Sequence, residues 1–165
     1  MLIKDLQEIK NTSNRNESKN WKFRSFLKMK DVDQIDRIVK PIYESIVAKI
    51  NCLECGNCCR QLQPLLTKSD INGIGNKLNL SPQVTQEKFA EIDEFGEARL
   101  RGIPCAFLYG NECQIYNVRP NDCKSFPHIH KNGFTTRLIG AIENASICPI
   151  VFNVLEVLKY KSKFK

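Results

Sequence analysis

At 165 residues, 42% hydrophobic and 26% charged, the chain is sized for a single domain with its own core, and without a run of eighteen apolar residues it excludes a membrane-spanning helix. Its net charge of +7 is carried by the ends: residues 1–30 hold eight Lys or Arg against three acids, residues 159–165 hold four lysines, and the middle holds thirteen basic residues against fifteen acids. Such ends read as solvated extensions rather than a nucleic-acid footprint, and the first ten residues, interrupted by Asp5 and Glu8, lack the apolar run of a secretory leader, so a cytoplasmic location is expected.

Residues 11–20, rich in Asn and Ser with nothing to bury, predict a flexible linker, followed by a short apolar cluster of Trp21, Phe23, Phe26 and Leu27. From Asp31 the residues Ile35, Ile38, Val39, Ile42, Ile46, Val47 and Ile50 recur at helical spacing, with Pro41 expected to kink or restart the helix. The cysteine-rich stretch that follows is expected as a loop. Thr67 with Asp70 caps a short helix to about Leu78, and Ser81-Pro82 starts another over about 82–92. Short apolar runs around Gly102-Ile103-Pro104 and Gly110-Asn111, between Ala98 and Tyr116, predict a small hairpin, and Asn132-Gly133 precedes a strand over Phe134 to Ile139. A helix capped by Ser146 runs from Pro149 to about Tyr160. The expected class is α+β, mainly helical, a small single domain with a short antiparallel hairpin and cysteine-rich metal-binding loops. The expected divisions are a basic, partly flexible extension over 1–30, a cysteine-cluster metal-binding domain over 31–160 and a basic tail over 161–165.

The run Cys52-Leu53-Glu54-Cys55-Gly56-Asn57-Cys58-Cys59 places four of the eight cysteines in eight residues. Packing does not call for sulfur at that density. A Cys-x-x-Cys turn can bring two sulfurs to one ion, and Gly56 gives the loose backbone that a further ligand at Cys58 needs. Cys105, Cys113, Cys123 and Cys148 each stand beside a turn signal, where a bent backbone can present sulfur to a metal, whereas a buried structural cysteine belongs inside helices and strands. In a compartment that keeps thiols reduced, coordination is expected over disulfides. All eight are therefore candidate metal ligands, divided between two tetrahedral thiolate sites or gathered into one cluster with spare thiols.

Adjacent side chains leave the backbone in different directions, so Cys58 and Cys59 are expected to serve different centres or to leave one thiol spare. The spacing Cys52, Cys55, Cys58 with a remote Cys148-Pro149 echoes the ferredoxin arrangement, which makes these four the candidates for an iron–sulfur cluster.

The ordered series Cys52-x-x-Cys55-Gly-x-Cys58-Cys59, Leu66-Thr67-x-x-Asp70-Ile71, Pro104-Cys105-x-Phe107-Leu108 and Cys113-x-Ile115-Tyr116-x-x-Arg119-Pro120-x-x-Cys123-x-x-Phe126-Pro127 resembles the CxxCxxCC family, over about residues 52–150. The resemblance implies zinc or iron chelation by the cysteines, and it extends to the domain of bacterial flagellin lysine N-methylase. Enzymatic activity is left open. The chain shows no glycine-rich loop after a strand that would mark a nucleotide or S-adenosylmethionine fold.

Other candidates carry plainer readings. His128 and His130 could add nitrogen ligands or serve as ordinary surface histidines. Arg119 could sit over an anionic cluster, or cap carbonyls and pair with Asp122 or Glu112. Tyr116 and Phe126 could cover the metal region or simply pack in a core. Asp93, Glu94 and Glu97 read as a solvated helix end. The reading that results is a metal-binding protein holding an iron–sulfur cluster, which is favoured, or zinc, as a redox or methylation-related accessory to an unidentified protein partner. The alternative is a structural zinc module that contacts an acidic partner or nucleic acid through its basic tails.

Overall fold

The computed structural model describes residues 2–164 and is mainly helical, with two short antiparallel hairpins where one is expected from sequence. In chain order the helices are α1 (Leu6–Arg15), α2 (Glu17–Lys28), α3 (Val32–Val47), α4 (Cys52–Cys55), α5 (Asn57–Gln61), α6 (Lys68–Leu78), α7 (Pro82–Phe89), α8 (Asn121–Ser125), α9 (Leu138–Glu143) and α10 (Pro149–Lys161). The strands are β1 (Ala90–Ile92), β2 (Ala98–Leu100), β3 (Leu108–Tyr109) and β4 (Glu112–Cys113). They form two compact units: one is Cys52–Phe126, and the other joins the chain up to Asn51 to the chain from Pro127 onward. Among the described residues no single helix is long and apolar enough to cross a membrane.

The unit built from the two ends is a helical assembly. α3 buries Ile35, Val39, Ile42 and Ile46, a stripe at helical spacing, and runs through Pro41 without ending. Asp31 starts it by accepting the Gln34 N–H at 2.8 Å. α3 packs on α10, whose residues Pro149 to Leu155 are all buried. Residues 11–20 are helical rather than a linker. Asp5 caps α1 through the Glu8 N–H at 2.7 Å, and Ile9, Phe23 and Leu27 bury the inner side of α1 and α2, so a few apolar anchors organise an otherwise polar stretch. Ile3 and Phe164 are both tied down. The Asn153 amide on α10 accepts the Ile3 N–H at 3.0 Å and donates to the Ile3 carbonyl at 2.7 Å, while the Phe164 ring lies 4.9 Å from Phe23 and 5.3 Å from Phe26.

The strand expected over Phe134 to Ile139 is instead a 3-10 turn (Phe134–Arg137) running into α9. The reason lies on α3: Asp36 accepts the N–H groups of Gly133 at 2.5 Å and Phe134 at 2.9 Å, supplying the carboxylate cap that starts a helical turn. Gly133, at φ 74, makes the reversal before it. Ser146 does not cap α10. Its hydroxyl donates to the Glu143 carbonyl, and Cys148 holds the capping position before Pro149.

In the central unit the Thr67–Asp70 capping box is present, and Ser81 caps α7 with Pro82 in the first turn. α7 stops at Phe89, short of the expected 92, because Ala90 to Ile92 pair with β2 in the register Ala90↔Leu100 and Ile92↔Ala98. The acids expected at a helix end therefore form a hairpin turn. One Asp93 oxygen accepts the N–H groups of Phe95 and Glu97, the other pairs with Arg99 at 2.6 Å, and its carboxyl is held below the usual range mainly by that guanidinium. The apolar core is small: Leu66, Ile71, Ile74, Ala90, Leu100, Phe107 and Ile115, with Cys105 and Cys113 packed partly buried against it.

Candidate metal centre

The first four cysteines lie on two short helical turns, not on an open loop. α4 carries Cys52 and Cys55, and α5 carries Cys58 and Cys59. Gly56 reverses the chain between them at φ 58, and a Cβ there would stand 2.9 Å from the Arg60 guanidinium and 3.2 Å from the Asn111 backbone. Glycine is thus required both by its backbone angle and by a close approach.

What approaches Gly56 is a clamp that the motif does not announce. Arg60 donates to the Cys55 carbonyl at 3.1 Å, to the Gly110 carbonyl at 2.7 Å and to the Asn111 side chain at 2.5 Å, and Asn111 donates back to the Glu54 carbonyl at 2.8 Å. These bonds fasten the two cysteine turns to the β3–β4 hairpin, where α4 packs against β4 and hence near Cys113. The Cys105 N–H reaches the Cys59 carbonyl at 2.8 Å. Cys123 arrives on α8, whose start is pinned by Asp70: that buried carboxylate accepts from the Thr67 N–H and hydroxyl on one oxygen and from the Asn121 N–H on the other. Asp122 reinforces the placement by accepting the Leu65 N–H at 3.1 Å. The β3–β4 hairpin and the Cys105 segment are therefore drawn to the α4–α5 turn by Arg60, Asn111 and a backbone bond, while Asp70 and Asp122 tie α8 to residues 65–70.

The thiols respond to one another's charge, which places them in one neighbourhood. Burial pushes Cys123 up to about 12, with further upward pressure from Cys59, Cys105, Asp122 and Cys113. Cys105 and Cys113 are raised by burial and by the charge of Cys59, and Cys52 by burial and by Cys55 and Cys59. Cys59 moves the other way, from an ordinary 9.0 to about 7, mainly because Cys58 hydrogen-bonds to it and then because Arg60 lies beside it. Arg119 opposes the rise at Cys52 and Cys113 while donating to the Tyr116 carbonyl at 2.7 Å, its guanidinium 3.8 Å above the Tyr116 ring. The vicinal pair, expected to diverge, is in hydrogen-bond contact through its side chains.

None of the eight cysteines is joined in a disulfide. Seven lie in the central unit. Cys148 lies in the other, buried at the start of α10. His128 and His130 also lie in that second unit, His128 at φ 61 and His130 with its ring 5.8 Å from that of Tyr43. Among the described residues no three of His, Cys, Asp and Glu have the spacing to hold an ion as they stand. The donor set nevertheless suits zinc or iron. Several partly buried soft sulfurs, each made harder to ionise by burial and then by neighbouring thiols, are what a thiophilic cation would relieve, since binding removes the protons and replaces repulsion with attraction.

Sequence reading misses Arg60 and Asn111. The available signals are the Arg directly after Cys58-Cys59 and the Gly110-Asn111 turn, legible only as a hairpin. Comparison with curated proteins gives no match, and comparison with solved structures gives none. Residues 51–147, which include the seven thiols of the central unit and stop one residue short of Cys148, match a family described as "Putative zinc- or iron-chelating domain", a description that supports metal binding here. The chain belongs to the CxxCxxCC family.

Proposed function

We propose that the central unit is a metal–thiolate module in which Cys59, Cys105, Cys113 and Cys123 form the inner ligand set, with Cys52, Cys55 and Cys58 beside them. The observation that carries this reading is convergence from four separate stretches of chain: the Cys105 N–H bonds to the Cys59 carbonyl at 2.8 Å, α4 packs on the strand that bears Cys113, and Cys59 lies close enough to raise Cys105, Cys113 and Cys123. When bound, a metal supplies the positive charge that keeps the thiols ionised at neutral pH. Arg60 and Arg119 offset part of the remaining negative charge, and the Arg60–Asn111 clamp keeps the cysteine turns against the hairpin. Cys148 is not needed for this set.

Two metals fit. The Cys52-x-x-Cys55-x-x-Cys58 spacing favours an iron–sulfur cluster, which suits an accessory protein working with a partner in a redox or methylation-related step in a reducing, cytoplasmic setting. Zinc is favoured by another feature: the four inner thiols join α5, the 104–107 segment, β4 and α8 across a unit with a small apolar core, the task of a closed structural site. Anaerobic purification separates the two. Brown protein with labile sulfide supports the cluster, and colourless protein with stoichiometric zinc supports the structural module. Protein that takes up neither metal under reducing conditions sinks both.

A further inference from the structure

The unit built from the chain ends has a concave site of its own, independent of the thiols. A cavity of about 140 Å3 lies between α3 and the turn around residue 131, with Val39 and Ile129 among its lining and Asp36, Arg37, Lys40 and Lys131 as its charged residues. Arg37 and Lys40 stand three residues apart on α3 and so share a face, with exposed side chains. Lys131 is brought opposite them by a braced turn, in which Arg137 donates to the Lys131 carbonyl and Gly133 reverses the chain. The one carboxylate in the lining is already engaged, because both oxygens of Asp36 accept backbone N–H groups, from Gly133 and Phe134.

Three cationic side chains thus border a space with an apolar floor, and the only carboxylate beside it is committed to the backbone. The sequence around it leans the same way. This unit carries seventeen Lys or Arg against nine acids, a net +8, whereas the central unit carries eight against nine, a net −1. A drug-sized ligand needs roughly 300–1,000 Å3, so the cavity suits one small oxyanion group and not a nucleotide. The cations exceed the carboxylate by two, which matches a dianion better than a carboxylate ligand, and the planar guanidinium of Arg37 can bind two oxygens at once.

We propose that this cavity binds a phosphoryl group, as inorganic phosphate or at the end of a small monoester or lipid headgroup. The test titrates the full-length protein with inorganic phosphate at constant ionic strength, following amide and side-chain NMR shifts, with acetate as the carboxylate arm. A saturable response centred on Arg37, Lys40 and Lys131, stronger for phosphate than acetate, is expected. In R37Q/K40Q the dissociation constant should rise about tenfold or more, while K28Q/K30Q, on the same unit but away from the cavity, should change it less than about twofold. K131Q, placed in the turn, repeats the test without touching α3. Vesicles of phosphatidate in phosphatidylcholine form a second arm: binding abolished by R37Q/K40Q in vesicles assigns a lipid headgroup, and the same loss with soluble phosphate alone assigns a free phosphate. A linear, unsaturable response in both arms, or equal losses in the two double variants, reduces the effect to diffuse charge and overturns the proposal.

Discussion

Among the described residues the unit built from the chain ends buries twenty apolar side chains besides Cys148, including Ile9, Phe23, Val151 and Leu155, while the central unit buries seven. The central unit is not much shorter, and it invests its other interior positions differently. Cys105 and Cys113 flank the seven-residue core, Asp70 is buried with each oxygen engaged, and Arg60 spans the two cysteine turns and the hairpin. One unit excludes water with carbon; the other gathers polar and sulfur atoms around a core too small to carry it comfortably. On the proposed reading, a metal supplies in the central unit what hydrophobic burial supplies in the other.

Metal loading is the strongest way to break this contrast. It should raise the stability of the central unit by an amount on the order of 10 kcal/mol, as structural metal does in small domains, and C123S should abolish the gain. Hydrogen exchange checks it: chelation under reducing conditions should strip protection from Ile74 and Leu100 while leaving α3 and α10 protected. Equal losses in both units, or none, would show that metal does not divide them. The reciprocal change is F23A, which removes a fully buried ring from the carbon core and should cost about 3–5 kcal/mol with metal stoichiometry unaltered.

A smaller effect separates the polar scaffold from the sulfurs. D70A removes the capping partner of Thr67 and the acceptor for Asn121, so two helix starts lose a bond at once, and about 2–3 kcal/mol is expected from denaturant melts. S81A, which removes a single exposed cap, should cost about 1 kcal/mol. A D70A cost no larger than that of S81A would mean that Asp70 does not hold α8, and Cys123 with it, in place.

The same distinction explains what is legible in the sequence. The Thr67–Asp70 box and the Ser81-Pro82 start are local chemistry between residues a turn apart, and α3 and α10 follow from apolar spacing. Residues 134–139 mislead because the group that caps them, Asp36, lies 97 residues earlier. β1 hides inside a helical pattern because only pairing with β2 reveals it. Helices α1 and α2 depend on Asn153 gripping Ile3 and on Phe164 meeting Phe23, neither of which leaves a mark on residues 11–20. At the site the thiols stand out as residue types, whereas the selection of a neighbourhood for seven of them depends on Arg60 meeting Gly110 and Asn111 some fifty residues away.

The finest test lies within the thiol set. In the metal-free protein Cys59 is lowered from 9.0 to about 7, so at pH 7 about half of it is thiolate against about 1% for an unperturbed thiol. A more acidic thiolate is intrinsically less nucleophilic, by about eightfold over two units, leaving a net advantage of roughly sixfold toward iodoacetamide. Cys123, raised to about 12, should react last. The linkage signs follow. The lowered Cys59 contributes stability that is complete above pH 9 and is lost as pH falls toward 7, whereas the raised Cys123 contributes stability present below pH 9 and lost as pH rises toward 12. The metal-free central unit should therefore be most stable near pH 9. Mass mapping of alkylation at pH 7 decides the matter: Cys59 first and Cys123 last supports the arrangement, and equal rates at all seven thiols would show that the metal-free unit does not hold it.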